Sequence, residues 1–183
     1  MDLVTTPLAD IAPRVNAARA AYDRGVTKPL AWRVATLERM RDLLVEREDR
    51  FLDALAADFG KPRAEAWLTE IGFTVSDIDH TLANLSSWMQ PEKVPTPLAF
   101  KPGTSEIVHE PVGVVSVISP WNYPVQLLLV PVVAAIAAGN AVVAKPSELV
   151  PHSAAELVDL LEALHEPAVA TVQGGVAETT ELL

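Results

Sequence analysis

The chain contains no cysteine among its 183 residues. Disulfide bonds and thiolate metal ligands are therefore excluded, and so is covalent catalysis by a thiol of this chain. Cationic side chains are also scarce, because 14 Lys and Arg stand against 24 Asp and Glu and leave a net charge of -10. The arginines between Arg33 and Arg50 are interleaved with Asp and Glu, which indicates a solvated helix face and not a basic surface. We therefore predict that nucleic acid is not a partner.

The sequence shows neither a targeting signal nor a membrane span. Its N-terminus lacks a basic start followed by an apolar run, so a reducing cytoplasm is the predicted location. The apolar stretch 112–144 is interrupted by prolines and asparagines, and its charge-free helical part, 125–138, is shorter than the ~20 residues that a bilayer requires. A buried helix between two buried strands accounts for this stretch better. The histidines lack the spacing of metal ligands, so no metal site is predicted.

A helical pattern extends over residues 1–90, and we predict a helical N-terminal region there. Thr6, which precedes a proline, is expected to cap the first helix. A long amphipathic helix is predicted over 30–59, where a Gly-then-Pro sequence stops it. A third helix places Trp67 and Trp88 on its apolar face, so both indoles are expected to lie in the core.

The chain changes character at residue 91. Residues 91–110 are predicted to be a proline-rich linker followed by an edge strand at 104–109. Residues 111–183 then alternate between strand and helix patterns. The predicted strands are 112–118, 141–144 and 169–172, and the predicted helices are 125–138, 153–165 and a last one from about 177. This order predicts an α/β fold, in which the helical region precedes the first part of a Rossmann-like, doubly wound parallel sheet.

Two details of the sheet follow from its residues. Residues 112–118 form a near-continuous β-branched run, which is typical of a parallel strand covered on both faces. Ser153 and Glu156 have the spacing of a capping box, so the helix after the second strand is expected to begin there. Three parallel strands are few for this architecture, and the sheet is therefore predicted to be truncated.

The turn after the first parallel strand, residues 119–124 and here called the first turn, carries a distinctive polar side chain. It lies where open α/β sheets bind their ligands. Asn122 lies between two prolines, and its amide can donate hydrogen bonds without carrying charge. Such a donor suits an oxyanion hole, where negative charge develops on a substrate oxygen. The alternative, which the spacing alone favours, is that Asn122 is a turn former that binds its own backbone.

Two further turns follow the next two strands. The second turn, residues 145–148, contains Lys145 and Glu148, which could donate to and accept from the hydroxyls of a polyhydroxy ligand. A solvated charged pair ahead of a helix is the alternative, and the spacing alone favours it. The third turn contains Gly174 and Gly175, which permit either the close approach of a ligand or simply a tight turn.

Several short motifs follow one another in order along the second half of the chain. They are Glu110-Pro111-Val112-Gly113-Val114, Pro120-Trp121-Asn122-Tyr123-Pro124, Ala137-Ala138-Gly139-Asn140 and Lys145-Pro146-Ser147-Glu148. Together they resemble the aldehyde dehydrogenase superfamily, and the resemblance covers essentially the whole chain. The stretch from Gly174-Gly175-Val176 to the final Glu181-Leu182-Leu183 is most similar to the class 3 branch, which acts on fatty or aromatic aldehydes, and Asp58-Phe59-Gly60-Lys61 is compatible with it.

The resemblance implies a role for each turn. Asn122 matches the family's oxyanion-hole asparagine, which polarises the aldehyde carbonyl. Lys145 and Glu148 match the pair that contacts the adenosine ribose of NAD or NADP, and Ser147 of the same motif is assigned to the cofactor with them. The remaining cofactor-binding residues that it implies are Ile118, Ser119, Pro120 and Trp121 along the nicotinamide end and Gly174 and Gly175 near the adenine.

Three features of the family are missing from this chain. They are the nucleophilic cysteine, the general-base glutamate in its Glu-Leu-Gly-Gly-Lys type motif, and the Gly-rich loop beneath the pyrophosphate. The resemblance therefore implies an N-terminal fragment. Within it, residues 91–110 belong to an oligomerisation region and residues 111–183 form a partial NAD(P)-binding domain.

The missing groups lead to a prediction about activity. Without a thiolate no thiohemiacetal can form, so we predict that the chain alone does not oxidise aldehydes. Cofactor binding is expected to be weak or absent. The expected partners are the aldehyde substrate and either a second copy of the chain or a complementing C-terminal half. The alternative is a non-catalytic interaction or remnant module that associates with a full-length relative.

Overall fold

Helices fill the first half of the molecule. The computed structural model describes residues 4–183, so residues 1–3 of the predicted helical region lie outside it. The helical elements up to residue 88 are α1 (Leu8–Asp23), α2 (Leu30–Glu46), α3 (Glu48–Phe59), the short α4 (Arg63–Ala66), a π-helical turn (Trp67–Ile71) and α5 (Gly72–Trp88). Gly60 ends α3 in the left-handed conformation, with φ of 66°, as the predicted Gly-then-Pro stop requires.

The single helix expected over 30–59 is two helices, so that prediction was wrong. The break falls at Arg47, whose φ of -107° and ψ of 14° are not helical. The bend allows α2 to pack against α5 while α3 packs against a helix of the second half. Arg47 also forms an ion pair with Asp159, with 3.1 Å between Nη1 and Oδ2, which ties the bend to that second half.

Thr6 does not cap the first helix, because α1 begins at Leu8 and Pro7 occupies the capping position. The Thr6 hydroxyl oxygen instead accepts a hydrogen bond from the Gln173 N–H at 2.9 Å. The Thr6 N–H donates in turn to the Gln173 carbonyl at 2.8 Å. This reciprocal pair joins the N-terminal segment to the chain just before the last helix, a contact that local sequence does not encode.

Trp67 and Trp88 are not core residues, so the expectation for both was wrong. Their exposed fractions are 45% and 49%. The Trp67 indole N–H donates to a carboxylate oxygen of Glu48 at 2.9 Å, and the Trp88 ring lies 5.7 Å from the ring of His80. Both indoles therefore cover the surface of their helices, where one edge reaches polar partners.

The predicted linker contains a strand of its own. β1 (Glu92–Val94) pairs antiparallel with β2 (Ser105–Ile107), which lies within the predicted edge strand. A 3₁₀ turn (Leu98–Phe100) between them leaves Leu98 and Phe100 87% and 71% exposed. The proline-rich segment is therefore an antiparallel ribbon with apolar side chains at its tip.

The second half contains the parallel sheet. β3 (Val114–Ile118), β4 (Ala141–Lys145) and β5 (Val169–Thr171) form a sheet in the order β3-β4-β5. They alternate with α6 (Pro124–Ala137), α7 (Pro151–Glu162) and α8 (Val176–Leu182). The predicted α/β class and order of elements are confirmed. None of the helices within residues 4–183 combines the length and the apolar character needed to cross a membrane.

The central strand β4 is buried at every residue and separates two layers of core. Val142 and Ala144 belong to a large cluster with side chains of α2, α5, α6 and α7, whereas Ala141 and Val143 belong to a smaller cluster with side chains of α1. Successive side chains of a strand point to opposite faces, so α6 and α7 lie on one face and α1 lies on the other. α8 packs against α1 and shares its face.

β3 is not covered on both faces, contrary to the expectation from its apolar run. Val117 is buried, whereas Ser116 and Ile118 are exposed and Val114 is half-buried. Val114, Ser116 and Ile118 lie on the face of α1, and the cluster around α1 reaches Val114 but not the other two. β3 is also the edge strand, since within residues 4–183 only β4 pairs with it. The β-branched run has the composition of an inner strand, but this part of the chain supplies only one neighbour.

The predicted capping box of α7 was also wrong. The helix begins at Pro151, so Ser153 lies inside its first turn, where the hydroxyl is buried without a hydrogen-bond partner. Proline is favoured at a helix start because the N–H that it lacks has no partner there. The helix ends at Glu162, short of the predicted His165, which has a positive φ of 54°.

Arg33 of α2 closes the C-terminal end of α6. Its buried guanidinium donates to the carbonyl of Ala137 at 2.9 Å and to those of Thr27 and Lys28 at 3.2 and 2.9 Å. A cation here complements the negative end of the helix dipole. Burial lowers the pKa of Arg33 from its usual value, although arginine remains protonated in proteins. Gly139, with φ of 86°, leaves the room that the guanidinium needs.

We expect Arg33→Met to lower the free energy of unfolding by about 2–3 kcal/mol, because it leaves buried carbonyls without a donor. Urea denaturation followed by circular dichroism measures the change. Arg39→Met is the matched control, since Arg39 lies on the same helix with a half-exposed side chain in an ion pair with Glu46. The control should change stability by less than about 0.5 kcal/mol, and equal losses in both variants would contradict the role of Arg33.

Candidate functional site

The three turns identified in the sequence lie at one end of the parallel sheet, where β3, β4 and β5 reach their carboxyl ends. The Ser119 N–H donates to the Lys145 carbonyl at 3.1 Å, which places the first turn beside the second. The third turn faces the second, because a Cβ on Gly175 would lie 3.9 Å from Oε1 of Glu148. A shallow cleft between these two turns is lined by residues that include Ser147, Glu148 and Gly174. The structure therefore brings the residues of separate motifs together.

Asn122 is exposed in the first turn, and its side-chain amide forms no hydrogen bond with residues 4–183. The alternative in which Asn122 binds its own backbone therefore has no bond to support it. Pro120 and Pro124 restrict the backbone on either side. An amide donor that no protein group occupies, at the carboxyl end of a parallel strand, is a group that an oxyanion hole requires.

The residues around Asn122 form an accessible wall. Ile118 and Trp121 are 43% and 51% exposed, and Pro120 is exposed as well. Ser119 differs from them, because it is 5% exposed and its hydroxyl oxygen has no hydrogen-bond partner among the described residues. The first turn thus combines apolar surface with a buried hydroxyl.

Lys145 lies at the end of β4 with its side chain almost completely buried, at 3% exposure. Its ammonium has only long contacts, 3.3 Å to Oε2 of Glu148 and 3.5 Å to the carbonyl of Pro146. A buried ammonium costs free energy unless it is well paired. The alternative of a solvated pair is therefore wrong for Lys145, and an ammonium with unused donors remains beside the cleft. Ser147 is buried beside it, and its hydroxyl accepts from the Leu149 N–H at 3.3 Å.

Gly174 is explained by its own turn. Its φ of 142° is strained for other residues, and a Cβ there would collide with the side chain of Glu178. The Glu178 carboxylate needs that space, because it accepts the Gly175 N–H at 2.8 Å at the start of α8. Of the two interpretations of this glycine pair, the geometry favours the tight turn at Gly174.

Sequence reasoning missed Glu70, a buried carboxylate that holds the first turn. Glu70 lies in the π-helical turn and is completely buried. Its Oε2 accepts the N–H groups of Val125 and Gln126 at 2.9 and 3.2 Å, which are free donors at the start of α6. Its Oε1 lies 2.6 Å from Nζ of Lys61, and that ammonium lies 4.1 Å from the centroid of the Tyr123 ring.

Asp58 at the end of α3 likewise holds the start of α7, which follows the second turn. Its two carboxylate oxygens accept the N–H groups of His152 and Ser153 at 3.2 and 2.8 Å, at the start of α7. The sequence did hold a signal for both carboxylates. Tyr123 and Val150 occupy the capping positions of α6 and α7, and neither side chain caps its helix. Helices that begin this way require an acceptor from elsewhere in the chain.

A larger cavity lies away from these turns. It has a volume of about 870 Å³ and lies between α5, α6 and the ribbon, with Trp88, His109 and Ala134 among its lining residues. None of the predicted site residues lines it. Across the part of the chain that the structure describes, no group of three or more His, Asp or Glu side chains is arranged to hold a metal ion.

Two buried lysines provide a test of which one the fold itself needs. We expect Lys145→Met to leave the free energy of unfolding unchanged or to raise it by up to about 2 kcal/mol, because it removes a poorly paired buried charge. Lys61→Met is the matched comparison and should lower it by about 3–5 kcal/mol, since it leaves buried Glu70 without its cation. Thermal and urea unfolding measure both. A large loss in Lys145→Met would show that Lys145 is structural.

The chain matches known proteins along almost its whole length. Residues 5–183 match the model of the aldehyde dehydrogenase family. Aldehyde dehydrogenase family 3 member H1 of Arabidopsis thaliana is 45% identical over 176 residues, which cover 96% of this chain and 36% of that protein. A mouse protein named aldehyde dehydrogenase, dimeric NADP-preferring, is 39% identical over 177 residues, which cover 96% of this chain and 39% of the relative.

A solved structure agrees with these relatives. The substrate-bound state of Staphylococcus aureus AldH superposes with a TM-score of 0.92 and 35% sequence identity, over 94% of this chain and 38% of that one. The chain thus spans well under half the length of the proteins that it matches. Family 3 relatives confirm the predicted resemblance and its branch. On its turns, its fold and its sequence, this chain belongs to the aldehyde dehydrogenase family.

Proposed function

We propose that this chain is the N-terminal part of an NAD(P)-dependent aldehyde dehydrogenase that oxidises aldehydes to carboxylic acids. The observation that carries the proposal is that adjacent turns at the carboxyl ends of β3 and β4 present an exposed amide, Asn122, and a buried, poorly paired ammonium, Lys145. A buried polar group without good partners, and an accessible donor beside it, are candidates for ligand binding at the carboxyl ends of parallel strands.

The second turn has the chemistry needed to bind a cofactor. Lys145 would donate to the ribose hydroxyls of NAD or NADP, and Glu148, whose side chain is 32% exposed, would accept from them. Ser147 lies between them in the same turn. The wall of Ile118, Ser119, Pro120 and Trp121 would lie along the nicotinamide, and Gly174 and Gly175 near the adenine. The bound cofactor would supply the hydride acceptor that the oxidation needs.

Asn122 would act on the substrate. Its side-chain N–H would donate to the carbonyl oxygen of the aldehyde and stabilise the negative charge that develops there. The chain itself offers no thiolate for attack on that carbonyl, because it has no cysteine. The nucleophile and the general base must therefore come from residues outside these 183, and we propose that the chain alone is inactive.

The open side of the sheet supports completion by a further segment. In a right-handed crossover, a helix on one face of the sheet adds the next strand on one side of the previous strand. A helix on the other face adds it on the opposite side. α6 and α7 share one face, whereas α8 lies on the face of α1. A parallel strand after α8 would therefore pair with the free edge of β3. This geometry favours a complementing C-terminal half or its covalent equivalent.

Residues 91–110 support association between copies. We propose that they belong to an oligomerisation region, with a helical region at 1–90 before them and a partial cofactor-binding domain at 111–183 after them. The exposed Leu98 and Phe100 at the tip of the ribbon are apolar groups suited to burial in an interface. The mouse relative described as dimeric is compatible with such a role. We keep the cytoplasm as the proposed location.

The same surfaces carry the alternative function, a non-catalytic module that binds a full-length relative. The exposed ribbon tip and the free edge of β3 are available to such a partner. Co-purification of the chain with a full-length relative, without any gain in aldehyde oxidation, would favour this alternative over the enzymatic proposal.

The first experiment measures NADH formation from NAD and an aldehyde, with the chain alone and then mixed with a separately expressed C-terminal half of a family 3 relative. We expect no turnover for the chain alone, because the nucleophile is absent. We also expect no micromolar NAD affinity by isothermal titration, because the Gly-rich loop beneath the pyrophosphate is absent. Turnover is expected only in the mixture. Activity of the purified chain alone would overturn the proposal that the nucleophile and general base come from outside this chain. A folded but inactive mixture would favour the non-catalytic module.

The role of Asn122 is tested in the active mixture. We expect Asn122→Ala to lower kcat by about 100- to 1,000-fold, the effect of losing one oxyanion donor. Asn84→Ala is the control, because Asn84 is a half-buried residue of α5 whose hydrogen bonds within residues 4–183 go to His80 and Ser87 of its own helix. Its kcat should stay within about twofold of the wild type, since surface changes away from a site have small effects. An unchanged kcat in Asn122→Ala would remove Asn122 from the site.

A further inference from the structure

We propose that Glu70 and Lys61 are a positioning pair that sets the orientation of Asn122. The inference deepens the proposed function, because it rests on Asn122 as the oxyanion donor. Neither Glu70 nor Lys61 is placed against the substrate. Their effect passes through the first turn, whose position they fix from a different region of the chain.

The two residues that flank Asn122 are both packed against the end of α3. The Trp121 ring lies 6.3 Å from the ring of Phe59, at an interplanar angle of 30°. The Tyr123 ring lies under the ammonium of Lys61, 4.1 Å from centroid to Nζ, which is within the range of a cation–π interaction. Asn122 is therefore the exposed member of a turn whose neighbours are both fixed from one side.

Glu70 joins these contacts to the start of α6. It binds Lys61 through one carboxylate oxygen and the N–H groups of Val125 and Gln126 through the other. Each of these is a charge-assisted hydrogen bond, and the negative charge lies at the positive end of the α6 dipole. The Glu70 side chain is 0% exposed and that of Lys61 is 9% exposed, so water competes little for these groups. Glu70 and Lys61, with their contacts to Tyr123, Val125 and Gln126, are here called the bracket, because together they hold the first turn and the start of α6.

Asn122 depends on this bracket because it has no hydrogen bond of its own within residues 4–183. An oxyanion donor contributes to catalysis only if its N–H already points to where charge develops, and an exposed amide on a mobile turn loses that advantage. The π-helical turn at Trp67–Ile71 is the local irregularity that contains Glu70. Such turns are frequent at functional sites, in agreement with a positioning role.

The test compares Glu70→Gln with Glu65→Gln in the 183-residue chain. Both variants remove one negative charge from the same segment, but Glu65 is exposed. Backbone ¹⁵N relaxation at Asn122 and Tyr123 should give order parameters near about 0.85 in the wild type and in Glu65→Gln, and below about 0.6 in Glu70→Gln. Wild-type values in a folded Glu70→Gln chain would overturn the proposal, even if its stability falls.

A second readout uses the active mixture with the C-terminal half. We expect Glu70→Gln to lower kcat by about 100-fold, the effect of an ångström-scale misplacement, with KM within about twofold. Lys61→Arg, which keeps the cation beside Glu70, should retain most of the wild-type kcat. A parallel loss in Lys61→Arg, or a change in KM alone, would contradict positioning. An inactive wild-type mixture would defeat the proposed function, while the relaxation experiment would still decide whether Glu70 fixes the turn.

Tyr123→Leu covers the case in which Glu70→Gln fails to fold. It removes the ring that the Lys61 ammonium contacts but keeps an apolar side chain at a half-buried position, so the fold should survive. We expect the order parameter of Asn122 to fall between those of the wild type and a flexible turn, because Lys61 no longer contacts the turn while Glu70 still binds the start of α6. A wild-type order parameter at Asn122 in this variant would also overturn the proposal.

Discussion

Helix α6 has a buried charge of the appropriate sign at each end, and much of the molecule is organised around these two contacts. Glu70 binds the free N–H groups at its start, and Arg33 binds the carbonyl of Ala137 at its end. Both charges complement the helix dipole, and both come from the helical region that precedes the sheet. Because α6 follows the turn that contains Asn122, the helical region also holds the candidate site.

The candidate site combines groups that stabilise the fold with groups that do not. Asp58 and Glu70 satisfy helix starts and form buried ion pairs or hydrogen bonds. Lys145 and Asn122, in contrast, have donors without good protein partners. Of the two, only the buried ammonium of Lys145 costs stability, because the exposed amide of Asn122 is open to water. The contrast between Lys61, which is well paired, and Lys145, which is not, distinguishes residues that support the fold from residues proposed to bind the ligand.

The predictions from sequence succeeded where local pattern and tertiary structure agree. β4 and α6 lie within one residue of their predicted ends, because continuous apolar residues and a proline at the helix start specify them. They failed where distant contacts decide. Arg47 breaks a continuous helical pattern so that α2 and α3 can pack on different partners. Ser153 has the spacing of a cap, yet Asp58, 95 residues away, supplies it.

The sequence by itself determined the types of the elements, their order and the three turns, because hydrophobic period, proline and glycine act over a few residues. It also carried the family resemblance, which the match over residues 5–183 bears out. Only the tertiary structure decided that Trp67 is exposed, that β3 lies at an edge, and that Glu70 and Lys61 bracket the first turn. Those outcomes depend on side chains from separate elements competing for one buried volume, and local spacing carries no information about that competition.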